Sequence, residues 1–265
     1  MEPVTLAAIL LVFGPQPSGF QMYSVDMAFE GFIPILGGQE GKAELHLGLK
    51  VSNEPPKNGH LVVSTELTEA KLLWNGAELP IEFSDFKDFL PKSTTELFPN
   101  GKFVSTTAPI KDIPFKLPGL DATRMAELSA FPIEFPTKEI ATRDQWTFVR
   151  VLGGSEITTN ATLWVVTDST ATVSFTTSQK YEVMENAAVE VVTDPADAEN
   201  KVSTISTGAG KMQFNREQSV LDYYELKAQT TSTVTPIAGG ETSTRKMSSF
   251  WRIQRKLTGG VKPPR

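Results

Sequence analysis

Along most of this chain hydrophobic and polar residues alternate with a period of two, the pattern of strands that bury one face. Tyr23, Val25, Met27 and Phe29 alternate with Ser24, Asp26, Ala28 and Glu30. After a glycine-rich loop from Gly37 to Gly41, the residues Ala43, Leu45, Leu47, Leu49 and Val51 alternate with Lys42, Glu44, His46, Gly48 and Lys50. The loop makes these two runs an antiparallel pair, and Leu61 to Leu67 follows the Pro55–Gly59 turn as a third strand. Asn75-Gly76 supplies the two positive φ values of a type I′ hairpin. It sets Trp74 opposite Ala77, Leu72 opposite Leu79 and Ala70 opposite Ile81, leaving Lys71 and Glu78 on the solvent face. Asn100-Gly101 predicts a second such hairpin, with Phe98 opposite Phe103.

The second half repeats this grammar. Trp146 to Leu152 is a strand, Gly153-Gly154 a turn, and Ile157 to Val165 the returning strand, in which Trp164 falls on the polar phase. If both faces of that strand are covered, the sheet folds over a linker, a helix or a ligand. Asp168-Ser169 turns again into Ala171–Thr177. Further strands are Tyr181 with Val183, Val189–Val192, Val202–Ser206, Lys211–Phe214, Val220–Ala228 and a closing Phe250–Ile253. Between the halves lies a Pro-rich stretch holding the one convincing helix, Asp121–Leu128, opened by an Asp cap. The layout reads as a signal-peptide-like segment over 1–20, a first β half over 21–108, a linker over 109–143, a second β half over 144–258 and a flexible basic tail over 259–265. The fold expected is mainly β and antiparallel, either two similar curved sheets or one large half-barrel, with one short helix in the linker. Glu96–Val104 and Lys211–Val220 occupy comparable places in the two halves, as a duplication would arrange.

Val4 to Phe13 is an uncharged apolar run closed by Gly14, Pro15 and Pro17. It is too short to span a bilayer, which takes about 20 residues. It has the length of a signal-peptide core but lacks a basic lead, and the alternative is a buried first strand or apolar arm. Export to a bacterial periplasm or the extracellular space is the expectation that follows.

Composition narrows the chemistry. The 265 residues contain no Cys, which removes thiol nucleophiles, disulfides, thiolate zinc sites and iron–sulfur clusters. A net charge of −6 argues against wrapping nucleic acid. That charge is unevenly spread, because residues 245–265 carry seven Lys/Arg and no acid. The stretch could touch anionic lipid or a partner, or it could be a last strand offsetting acidic neighbours.

No catalytic, cofactor or metal site emerges. His46 sits on the polar phase of its strand and His60 at a turn, neither beside a nucleophile elbow. Ser243–Lys246 matches S-x-x-K but leads into a strand. Asp168-Ser-Thr170 has the start of an aspartic-protease loop without its Gly or a second copy. Asp194–Glu199 lacks the spacing of a calcium loop. Thr207-Gly-Ala-Gly-Lys211 reads as a glycine turn, and Asn160-Ala-Thr162 is a glycosylation sequon. Trp74, Trp146 and Trp251 are expected in the core.

Phe135-Pro-Thr-Lys-Glu-Ile140, running into Asp144-Gln-Trp-Thr147, resembles the P-x-K-x-V … G-D-x-W junction of uncharacterised exported bacterial β proteins. The layout is also similar to the lipoprotein-carrier half-barrel class. That resemblance implies a curved sheet whose helix-covered concavity takes acyl chains. It assigns no ligand-binding residue. The expected function is therefore non-enzymatic, the binding of an apolar, lipid-like ligand or an envelope partner. The rival is an accessory subunit that docks through sheet edges and its basic end.

Overall fold

The computed structural model describes residues 8–34, 37–109 and 116–256. The tail over 259–265 and the start of the apolar run, Val4 to Ala7, lie outside the described residues. The first half folds as β1 (Phe20–Ile33), β2 (Gln39–Asn53), β3 (Leu61–Trp74), β4 (Ala77–Glu78), α1 (Phe83–Phe89), β5 (Ser93–Leu97) and β6 (Phe103–Thr107). After α2 (Met125–Ala130) come β7 (Gln145–Leu152), β8 (Ser155–Val166), β9 (Thr170–Glu185) and β10 (Val191–Val192). The chain continues with β11 (Asn200–Asn215), β12 (Val220–Pro236) and β13 (Ser243–Lys256).

These strands form one antiparallel sheet of 13 strands, in the order β6-β5-β3-β2-β1-β13-β12-β11-β9-β8-β7, with β4 on β3 and β10 on β9. The fold is thus the single open half-barrel rather than two sheets. What unites the halves is β1 against β13, in register from Met22↔Lys256 to Gly31↔Met247. The inward residues Val25 and Met27 thereby gain Ile253 and Trp251 as neighbours, and all four are buried.

Local chemistry explains where the expected register holds and where it shifts. At Asn75-Gly76 both φ values are positive, Trp74 faces Ala77, and Lys71 meets Glu78 at 2.7 Å. The hairpin then stops, because Pro80 cannot continue a ladder, and Ile81 never comes opposite Ala70. At the second Asn-Gly, Phe103 faces Leu97 rather than Phe98. Pro99 takes the second position of the turn, so Gly101 alone has positive φ and its N–H closes on the Phe98 carbonyl. The phase of β8 flips at a bulge between Leu163 and Val165. Trp164 is the extra residue and is 62% exposed, so nothing covers that face there. The expected short strands Tyr181–Val183, Val202–Ser206 and Lys211–Phe214 are parts of longer ones, and Val189 turns away with φ of 64°. A second helix, α1, is present besides the one expected. It buries only Phe86.

Thr207–Lys211 is not a turn but the middle of β11. Phe175 of β9 and Tyr224 of β12 stack over it, ring centroids 5.1 Å apart. A Cβ on Gly210 would lie 2.1 Å from the Glu225 carbonyl and 2.5 Å from the Phe175 ring. Glycine is required there by space, and Gly210→Ala is expected to destabilise by about 1–3 kcal/mol through overpacking. A lowered urea midpoint at unchanged slope checks it.

The concave side is filled from two sources. Linker residues Phe131, Ile133 and Phe135 alternate inward, each nearly or fully buried. The segment before β1 enters from the other side. Phe13 meets Phe131, Phe135 and Phe214 at 5.0–5.2 Å. Its backbone is held by one turn from each half, Phe13 N–H to the Pro99 carbonyl and Gly14 N–H to the Ser219 carbonyl. Those turns belong to the two segments that the sequence pairs as comparable. Ile9 and Ile140 exchange two hydrogen bonds of 2.9 Å, so the Phe135–Ile140 junction is a packed corner.

Candidate functional site

Beyond the aromatic cluster, the inner wall of the second half changes character. Near Phe214 the inward positions are large and apolar (Val173, Phe175, Met212, Tyr224). Toward the other end they become Thr177, Gln179, Thr204, Ser206, Thr230 and Ser232. These small hydroxyls pair across strands, Thr204 with Ser232 at 2.9 Å and Thr230 donating to Ser206 at 3.0 Å, so the wall stays low and satisfied.

A strap of linker, residues 116–120, crosses that wall. Gly119 N–H donates to Gln179 Oε1 at 3.1 Å and Lys116 Nζ to Ser155 Oγ at 2.7 Å. Because the wall residues beneath are short, the strap does not seal against them, and small cavities remain between the two. One of about 80 Å³ lies between Leu128 and the wall and is lined by Leu152, Ile157, Leu226 and Trp251. Another of about 40 Å³ lies toward Tyr181, Val202 and Met247.

Beside the cavity under Leu128 a buried charge cluster fastens the seam of the half-barrel. Glu127 of α2 is fully buried and accepts from Arg124 Nε at 2.5 Å. Arg150, on the inward phase of edge strand β7, lies 3.3 Å from Glu127 and 3.2 Å from Glu134. It also donates to the Phe131 carbonyl at 2.9 Å and to the Gly101 carbonyl at 3.2 Å. Arg124 donates to the Val151 carbonyl and lies over Phe103 of β6, 3.6 Å from the ring centroid. The two edge strands are therefore joined through side chains, not through a ladder. On the β6 side the Thr106 hydroxyl adds a bond to the Thr123 carbonyl. Burial lifts the Glu127 carboxyl above its ordinary range, with Arg150 and Arg124 opposing.

The sequence candidates lie elsewhere. On the outer face, His46 Nδ1 and Arg252 both meet Asp26, at 2.7 and 2.9 Å. Partial burial alone would raise the Asp26 carboxyl, but its hydrogen bonds to His46 and Arg252 hold it below the usual range. His60, in the turn before β3, donates to Glu96 of β5 at 2.5 Å. Ser243 and Lys246 open β13, where residues three apart face opposite ways. Asp168 lies in the β8–β9 turn, and Asp194 caps a single turn over Pro195–Asp197. Among the described residues no three carboxylates or histidines converge as a metal site would need.

Of the basic stretch over 245–265, the described part, 245–256, lies in a central strand. Arg245 meets Glu185 at 2.5 Å, Arg255 meets Asp222 at 2.6 Å, and Lys256 lies 3.5 Å from Glu69. Its charges offset acidic neighbours. Arg124, Glu127, Glu134 and Arg150 were not singled out from the sequence. The available signal was Arg150 in phase with Trp146, Phe148 and Leu152, and one acid inside the apolar helix Met-Ala-Glu-Leu-Ser-Ala.

No protein-family model matches the chain, and no curated protein matches it. Among solved structures, one described as "Lipid-protein interactions in lipovitellin" is similar in fold. It has a TM-score of 0.54 and 9% identity over 96% of this chain and 26% of that one. The chain thus spans about a quarter of that protein's length. Two further structures overlay loosely and share no more than that. DynF from the dynemicin pathway of Micromonospora chersina has a TM-score of 0.23 at 8% identity, over 98% of this chain and 88% of that one. An outer membrane channel from Pseudomonas putida F1 has 0.17 at 7%, over 97% and 100%.

Proposed function

We propose that this protein is a non-enzymatic carrier or binder of an apolar, lipid-like ligand, held between the strap and the concave wall. The observation that carries the reading is the cavity of about 80 Å³ under Leu128, walled by Leu152, Ile157, Leu226 and Trp251. Burying an aliphatic chain there is worth about 25 cal/mol per Å² removed from water. The cavity admits a short piece of chain as it stands, and a longer one by lifting the strap from its few polar fastenings. The fold likeness to lipovitellin, whose structure is described by its lipid–protein interactions, supports the same reading. The rival role as an accessory subunit has less support, because the basic strand that would dock is internally paired.

Bromine quenches a tryptophan it touches, which gives the test. A methyl ester of a brominated fatty acid is expected to quench the native protein saturably, and Trp251→Phe to lose most of that quenching. Quenching that Trp251→Phe leaves intact, or none at all, overturns the proposal. For the apolar run at the start of the chain, the burial of Leu11 and Phe13 favours an arm of the core over a removed leader. Intact mass of protein from its source, taken together with envelope fractionation, tests both that and export.

A further inference from the structure

Building on that reading, we infer that the ligand is anionic, a single acyl chain ending in a carboxylate, with its head at Lys116 and its tail at Trp251. The two cavities are compartments of one trough. On each of four strands they are lined by neighbouring inward positions: Tyr181 then Gln179 on β9, Thr204 then Ser206 on β11, Thr230 then Ala228 on β12, Met247 then Ser249 on β13. Adjacent inward positions are about 7 Å apart along a strand. The compartments are divided by Pro118 of the strap, which lines both. A chain lying along the strands would therefore pass beneath Pro118.

The two ends differ in chemistry. The Trp251 end is mostly apolar and its one cation, Arg150, is committed to the seam cluster. The far end is lined by Lys116, Arg245 and Lys246 against the single acid Glu185, which Arg245 already holds. Lys116 is half-buried, and its ammonium lies over the Tyr181 ring, 4.3 Å from the centroid, with Ser155 as its hydrogen-bond partner. Among the described residues no carboxylate stands within ion-pair range of it, and burial lowers its affinity for a proton. A half-buried cation left with a hydroxyl and a ring face has capacity for an anion, and a ligand carboxylate would restore the missing partner.

The test uses the whole protein and compares a brominated fatty acid with its methyl ester at neutral pH, read by tryptophan quenching. The native protein is expected to bind the acid at least ten-fold more tightly than the ester. In Lys116→Met that ratio is expected to fall to about one, and in Lys116→Arg to persist. Equal affinities in the native protein, or a preference that survives Lys116→Met, overturn the anionic head while leaving the lipid-like reading in place. Quenching by neither ligand overturns both.

Discussion

Arg150→Met is expected to cost about 3–5 kcal/mol of folding free energy, the scale for removing one member of a buried ion cluster. Methionine fills much of the volume, so the loss is electrostatic and polar. Glu127 stays buried with Arg124 as its remaining cation, Glu134 loses its ion-pair partner, and the Phe131 and Gly101 carbonyls lose their donor. Urea unfolding measures the cost. Glu127→Gln in the same background supplies the control: the double variant should lose less than the sum of the two single ones, since each removes part of the same cluster. Strict additivity, or a cost under 1 kcal/mol, would mean that the seam is held by packing alone.

The second large effect is expected at Phe13. Truncation to Ala should destabilise by about 3–5 kcal/mol, as for other fully buried aromatics. Phe13 is 2% exposed and its ring is ringed by three others. Thermal unfolding monitored by near-UV circular dichroism reads this directly. Leu10→Ala, on the same segment but 51% exposed, should change little. If both variants behave alike, the arm does not belong to the core.

Period-two alternation made most of the sheet legible, because a half-buried strand writes its face into its own residues. Asn75-Gly76, Gly153-Gly154 and the Asp121 cap were readable for the same local reason. Longer-range facts were not. Gly208 and Gly210 look like a turn in sequence, and only Phe175 and Tyr224, arriving from strands on either side, make them an interior requirement. The pairing of β1 with β13 leaves no local mark, since each strand has the same alternation whether it stands at an edge or at the centre. The candidate site was hidden for a further reason. Its wall is Thr, Ser and Gln on the inward phase, which reads as weak strand amphipathicity until the strap above it is known. Arg150 did break the apolar phase of β7, and such breaks are where a buried polar device is to be sought.

The pairing of the first and last described strands has a consequence for how the chain acquires its structure. During synthesis β1 emerges early and finds β2, but its other side waits for β13, the last of the described strands. Closing so long a loop is entropically unfavourable, and high contact order slows folding. Until then a 14-residue edge with Tyr23, Val25, Met27 and Phe29 on one face stands open to any other strand. Cutting the protein at the linker would leave that edge on one fragment and the equally long β13 on the other. Neither fragment would be an independent domain, and each would be the natural template on which the other folds.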